Sequence, residues 1–213
     1  MKAKEIDITI KNGVLKGLLI SPKDATAIVI FVHGSGSGRL SPRNQYVAET
    51  LAEGNLATLL MDLLTEKEEI ADIRTGALRF DLDLLTKRLL HITEFIRKLK
   101  ETKGMNIGYF GASTGAAAAL MAAAAKENKI DAIVSRGGRP DLAIPYLPYV
   151  KAATLFIVGG NDKIVIDLNK QAFDVTKSEK RMEVVKGATH LFEEPGTLAQ
   201  VAKLSLNWFT KHL

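Results

Sequence analysis

The chain has 213 residues, 46% of them hydrophobic and 25% charged, with a net charge of +5 and no cysteine. That length suits one domain around a sizeable core, and the missing thiols exclude disulfides, thiolate metal sites and a cysteine nucleophile. The basic excess raises nucleic acid as a partner, but Lys and Arg are interleaved with acids, as in Glu66-Lys67-Glu68-Glu69, so they read as solvated helix faces and no nucleic-acid partner is expected.

The N-terminus, Met1-Lys2-Ala3-Lys4-Glu5-Ile6-Asp7, mixes charged and apolar residues and lacks the apolar centre of a signal peptide. No apolar run reaches the roughly 20 residues of a membrane span. The expectation is a cytoplasmic protein with no membrane partner. Strands are predicted at Ile6–Ile10 and Val14–Ile20, joined by Lys11-Asn12-Gly13 with its Asn-Gly hairpin signal. A buried strand follows at Ala27–Val32, then a helix at about Tyr46–Glu53 and a strand at Ala57–Met61. Residues Thr65 to Asp81 are polar and poorly periodic and read as a long loop. Leu84–Lys100 is predicted helical from the spacing of Leu85, Leu89, Ile92, Phe95 and Ile96. A strand at Met105–Phe110 runs into a Gly111–Gly115 turn and an Ala-rich helix from Ala116 to about Lys126. Strands at Ile130–Ser135 and Ala153–Val158, a helix near Leu168–Thr176, a strand at Met182–Val185 and a helix at Leu198–Lys211 complete the chain. This alternation predicts one α/β domain, a mostly parallel sheet with an N-terminal antiparallel hairpin and helices on both faces.

Gly111-Ala112-Ser113-Thr114-Gly115 has the Gly-x-Ser-x-Gly spacing of a nucleophile elbow. The pattern alone is weak. Its setting, between the apolar strand Asn106–Phe110 and the helix former Ala116–Ala119, is the strand–turn–helix context that the elbow needs. The turn aims a serine hydroxyl up from the strand end in a strained conformation, and the following helix N-terminus favours negative charge there. The amide of Thr114 then becomes an oxyanion donor. A dinucleotide phosphate loop is the competing reading, but Gly108, Gly111 and Gly115 do not follow Gly-x-Gly-x-x-Gly, and no P-loop Lys follows.

A serine needs a base, and the base needs an orienting carboxylate. The order expected behind an elbow is Ser, acid, His. Of the four histidines, His33 and His91 precede Ser113 and His212 ends the chain, which leaves His190 in Gly187-Ala188-Thr189-His190. Asp162, just past the strand Ala153–Val158, is the preferred acid, with Asp141 as competitor; Glu193 and Glu194 lie too close to His190 in the chain. The second oxyanion donor is expected from His33-Gly34-Ser35-Gly36-Ser37-Gly38, the amide of Ser35 first and that of Gly36 in reserve.

With these positions placed, the sequence resembles the α/β-hydrolase superfamily over essentially its whole length, and within it the dienelactone-hydrolase-like proteins. It is especially similar to a subgroup of predicted hydrolases sometimes joined to phosphoribosyltransferase domains. The resemblance rests on His33–Gly38, Ser41-Pro42-Arg43-Asn44, Gly108–Gly115, Ser135–Asp141 and Gly187–Gly196. It implies hydrolysis of an ester or related acyl group through Ser113, Asp162 and His190. Dienelactone hydrolase proper uses a cysteine, so its lactone substrates do not carry over, and no phosphoribosyltransferase domain is expected within these 213 residues.

The expected mechanism is two-step acyl transfer with a small ester as partner, no cofactor, no metal and self-association left open. Only Arg136–Tyr149 separate two strands where related folds insert a cap, so no cap domain and a fairly open pocket are expected, with Thr65–Asp81 as a candidate lid. Arg39, Arg43, Arg136 and Arg139 fall on loops at the same end of the sheet, either to bind an anionic substrate group or to tie loops together. Rival functions are an acyltransferase or perhydrolase on the same residues, a non-catalytic binding protein on this scaffold and, most weakly, a nucleotide-binding protein.

Overall fold

Two strands open the chain in the computed structural model, which describes residues 3–213; Met1 and Lys2 of the N-terminal reading lie outside it. The first strand, β1 (Lys4–Ile10), pairs antiparallel with β2 (Gly13–Ile20) across Lys11-Asn12. Ile6 and Ile8 point inward and their neighbours outward, the alternation of a strand with one wet face. Next, β3 (Ala27–Val32) is buried at all six residues, as a central parallel strand covered on both sides should be. The sheet continues through β4 (Ala57–Met61), β5 (Asn106–Ala112), β6 (Ala132–Arg136), β7 (Ala153–Gly159) and β8 (Lys180–Val185). Their spatial order is β1-β2-β4-β3-β5-β6-β7-β8. All pairings from β4 through β8 are parallel, while β2 runs antiparallel to β4.

Among the described residues six α-helices cover the sheet: α1 (Pro42–Glu53), α2 (Glu66–Thr75), α3 (Leu82–Lys98), α4 (Thr114–Ala124), α5 (Lys163–Val175) and α6 (Thr197–His212). Because side chains alternate along β3, Ile28, Ile30 and Val32 enter a core shared with Tyr109 of β5 and with α3 and α4, while Val29 and Phe31 enter a second core under α1 and α6. Phe31 and Phe110 meet in that second core with ring centroids 4.8 Å apart. Burying each such side chain contributes about 1.5–3 kcal/mol. A buried polar cluster sits in the first core: Tyr109 Oη lies 2.6 Å from Thr93 Oγ1 and accepts a bond of 3.0 Å from Asn128 Nδ2.

Two boundaries move for physical reasons. The helix expected from Tyr46 begins at Pro42, because Ser41 caps it and proline suits its first position. The helix expected near Leu168 begins at Lys163, directly after Asp162. One reading is corrected. Residues Thr65 to Asp81 are not a long loop but carry α2. Thr65 Oγ1 accepts the Glu68 amide and the Glu68 carboxylate accepts the Thr65 amide, closing a capping box, and Gly76 ends the helix in the left-handed region at φ 64°.

The link from β6 to β7 contains only two short 3-10 turns, Pro140–Ala143 and Leu147–Tyr149, and no cap domain. The C-terminal ends of β3 through β8 therefore open onto a row of short loops, the position where open parallel sheets receive ligands.

Candidate active site

Ser113 sits where β5 ends and α4 begins, with φ 51° and ψ −124°, a backbone region that a side chain enters only at a cost of about 1–3 kcal/mol. The neighbouring glycines permit it. A Cβ on Gly111 would lie 2.5 Å from Ala116 Cα, and one on Gly115 would drive into the carbonyl oxygens of Val32 and His33. The elbow is pinned from the next strand: the Ser113 amide donates to the Arg136 carbonyl at 3.3 Å, and the Arg139 amide donates to the Ser113 carbonyl at 3.0 Å.

The other two residues meet as well. His190 Nδ1 lies 2.7 Å from Asp162 Oδ2, which fixes the proton on Nδ1 and leaves Nε2 free for chemistry. The imidazole stands against the turn after β6, where a Cβ on Gly137 would lie 3.6 Å from His190 Cε1. The competing Asp141 is taken by its own neighbour, accepting two bonds of 2.9 and 2.8 Å from the Arg139 guanidinium. Among the described residues no hydrogen bond joins Ser113 Oγ to His190; in unliganded sites such bonds are often open until substrate arrives.

The His190 loop is tied at several points. Thr189 donates through its amide and its hydroxyl to Glu194, at 3.1 and 2.6 Å. Phe192 is buried at φ 57°, and Glu193 accepts a 2.8 Å bond from Arg43. Glu193 and Glu194 thus hold the loop that presents His190.

The oxyanion expectation meets a complication. Thr114 is the first residue of α4, so its amide has no helical acceptor and faces the elbow. The Ser35 amide, however, is not free: it donates to Thr114 Oγ1 at 3.0 Å. Gly36, the reserve donor, sits at φ 74° in a turn closed by the Ser37 amide on the Gly34 carbonyl at 3.2 Å.

Two residues that the sequence reading left without a role set this loop. His33 Nδ1 lies 2.9 Å from the Gly34 carbonyl, and His33 Nε2 accepts the Leu63 amide at 3.1 Å. Burial pushes the His33 imidazole below its ordinary range, against the Gly34 carbonyl and the charge of Asp62, which both favour protonation. At the far end of the loop Asp62 accepts the Arg39 amide at 2.7 Å and pairs with its guanidinium. A His-Gly pair after a buried strand was the available signal. Its partners on the β4 side were not visible.

Beside this loop lies a cleft of about 610 Å³, walled by Gly36, Ser37, Leu40, Leu64, Ile73 and Arg79. Its walls include the glycine loop after β3 but not Ser113, Asp162 or His190, and Leu40 and Ile73 stand exposed on its rim. Arg39 is tied to Asp62, Arg79 to Asp72, Arg43 to Glu193 and Arg139 to Asp141. Arg136 is buried, donates to Asn44 Oδ1 at 3.2 Å and lies over the Phe192 ring, 5.8 Å from its centroid. Burial, then the Arg43 charge, lowers its guanidinium to about 10. Of the four arginines picked from the sequence, three are paired with carboxylates and the fourth is buried against Asn44 and Phe192.

Residues 15–209 match the model of the dienelactone hydrolase family. A crystal structure of dienelactone hydrolase from Anabaena variabilis is 50% identical, covers the whole of both chains and superposes with a TM-score of 0.96. Est1E from Butyrivibrio proteoclasticus shares the fold at a TM-score of 0.79 and 16% identity, covering 97% of this chain and 98% of its own. A Mycobacterium tuberculosis protein named as a proposed phosphoribosyl transferase is 49% identical over all 213 residues, which make up 47% of its length. The chain thus spans about half the length of that curated relative.

Proposed function

The chain belongs to the dienelactone hydrolase family, and from that premise we propose that it is a serine hydrolase cleaving small neutral esters through Ser113, His190 and Asp162. The observation that carries this reading is the contact of 2.7 Å between His190 Nδ1 and Asp162 Oδ2, beside a serine held in a strained elbow. His190 Nε2 takes the Ser113 proton as Oγ attacks the carbonyl carbon, and Asp162 stabilises the imidazolium. The alkoxide leaves with that proton, and a water repeats the cycle on the acyl-enzyme. The phosphoribosyl transferase name belongs to a protein about twice as long; the family match and the elbow support hydrolysis in this half.

The choice of neutral substrates is supported by the pairing of Arg39, Arg43 and Arg79, the three arginines lining the cleft, with carboxylates, which leaves it no free cation from these three. Apolar Leu40, Leu64 and Ile73 along it suit an alkyl or aryl group. The test is a panel of p-nitrophenyl esters with and without a carboxylate, run on the wild type and Ser113→Ala, with fluorophosphonate labelling in parallel. Turnover and labelling are expected in the wild type, lost in a folded Ser113→Ala, with the neutral esters hydrolysed faster. Turnover retained by Ser113→Ala would remove the assignment.

A further inference from the structure

We propose that the side-chain hydroxyl of Thr114, as well as its backbone amide, is a catalytic hydrogen-bond donor to the oxyanion. This rests on the reading of Ser113 as nucleophile. Thr114 is buried, with 7% of its surface exposed, and a buried hydroxyl ordinarily satisfies both its donor and its acceptor capacity. Here the acceptor side is filled by the Ser35 amide at 3.0 Å. The donor side has no protein acceptor among the described residues. The hydroxyl lies one residue from the nucleophile, between the elbow and the glycine loop, and Gly34 brings that loop so close that a Cβ there would lie 2.9 Å from Ser113 Cβ.

The loop is held in this pose. The Gly34 carbonyl is fixed by His33 Nδ1 at 2.9 Å and by the Ser37 amide at 3.2 Å. In a planar trans peptide a fixed carbonyl also fixes the N–H on its other side, which belongs to Ser35. The Ser35 amide is thereby aimed at Thr114 Oγ1, and a hydroxyl that accepts a bond becomes a stronger donor.

When Ser113 Oγ bonds to the carbonyl carbon, the π pair moves onto the carbonyl oxygen and the serine proton moves to His190 Nε2. The Thr114 hydroxyl and the Thr114 amide then both donate to that oxygen. On collapse the C=O bond re-forms, the C–O bond to the leaving alkoxide breaks, and the alkoxide takes the proton from His190. Ser35 works through Thr114, as a positioning residue.

The alternative is that Thr114 Oγ1 merely occupies the Ser35 amide, and the two accounts differ in sign for an isosteric variant. Thr114→Val removes the hydroxyl and frees the Ser35 amide. If the hydroxyl is a donor, kcat on p-nitrophenyl acetate falls about 100-fold, the order lost with one oxyanion donor, at an unchanged KM and an unchanged melting temperature. Thr114→Ser, which keeps the hydroxyl, is expected within a few-fold of the wild type. A Thr114→Val enzyme as fast as the wild type or faster overturns the proposal, as does Thr114→Ser falling as far as Thr114→Val. A wild type that neither turns over esters nor takes a fluorophosphonate would instead remove the serine-hydrolase reading beneath it.

Discussion

His33 shows how a single residue can matter without touching substrate. Its two ring nitrogens bind the Gly34 carbonyl and the Leu63 amide, an arrangement that requires a neutral ring protonated on Nδ1. Burial lowers its affinity for a second proton below that of the unfolded chain. As pH falls below about 6.5, the unfolded state therefore binds more protons than the folded one, and stability declines until the folded-state value is passed. The contribution is fully present above the unfolded value. His212 is lowered in the same direction, again mainly by burial, so comparison with a variant is needed to isolate His33. Urea unfolding at about pH 5 and about pH 7.5 should show a larger loss at the acid end in the wild type than in His33→Asn; equal losses would exclude this role. The Gly-x-Ser-x-Gly pattern and the chain order were enough to nominate Ser113, Asp162 and His190 as candidates, because each lies just beyond a strand end. The role of His33 was not legible, since it depends on an amide 30 residues away.

Among the elements, α2 shows where periodicity fails. The buried strands were legible because β3 is apolar throughout and β7 is so but for Thr154, and α3 because its apolar residues recur on one face. In α2 only Asp72 is buried while Ile70 and Ile73 face outward, so no stripe marks it as helical. Its signal lay at the ends, in Thr65, Glu68 and Gly76. The same ends anchor it. Glu68 also pairs with Arg88 of α3 at 2.6 Å, and Asp72 accepts the Leu78 amide and the Arg79 guanidinium, both at 2.6 Å. Burial alone would raise the Asp72 carboxyl, but the bonds from Arg79 and from the Leu78 and Arg79 amides hold it below the usual carboxylate range. Thr65→Ala should cost α2 about 1 kcal/mol. Amide exchange should then quicken across Glu66–Thr75 with little change in global melting, and KM should rise for esters bulky enough to reach Ile73. Unchanged exchange would mean that the capping box does not hold this wall of the cleft.

At the scale of the whole molecule, the site is assembled from loops that follow five strands. The loop after β3 brings Ser35, that after β5 brings Ser113 and Thr114, that after β6 brings Gly137, that after β7 brings Asp162, and that after β8 brings His190. Parallel topology puts these loops on one edge of the sheet, which is why element order was enough to anticipate the α/β architecture and the edge on which the candidate site residues lie. Distances were beyond it. Whether Ser35 donates to a ligand or to Thr114 depends on how two adjacent loops pack, and one sequence carries no record of that.

The backbone of Ser113 has a consequence for the durability of the whole protein. At φ 51° and ψ −124° the chain holds a conformation that glycine adopts freely and that any Cβ strains. Reactivity at this position is therefore set against heat resistance. Ser113→Ala removes the hydroxyl and keeps the strain; Ser113→Gly removes both, at the smaller expense of a more flexible unfolded chain. Both variants should be inactive, yet the glycine variant should melt about 2–4 °C higher than the alanine variant for each kcal/mol of strain released. If the alanine variant melts at the same temperature or above, the elbow stores no such strain. If the ordering holds, the most thermally robust form of this protein is one that has given up the serine proposed as its nucleophile.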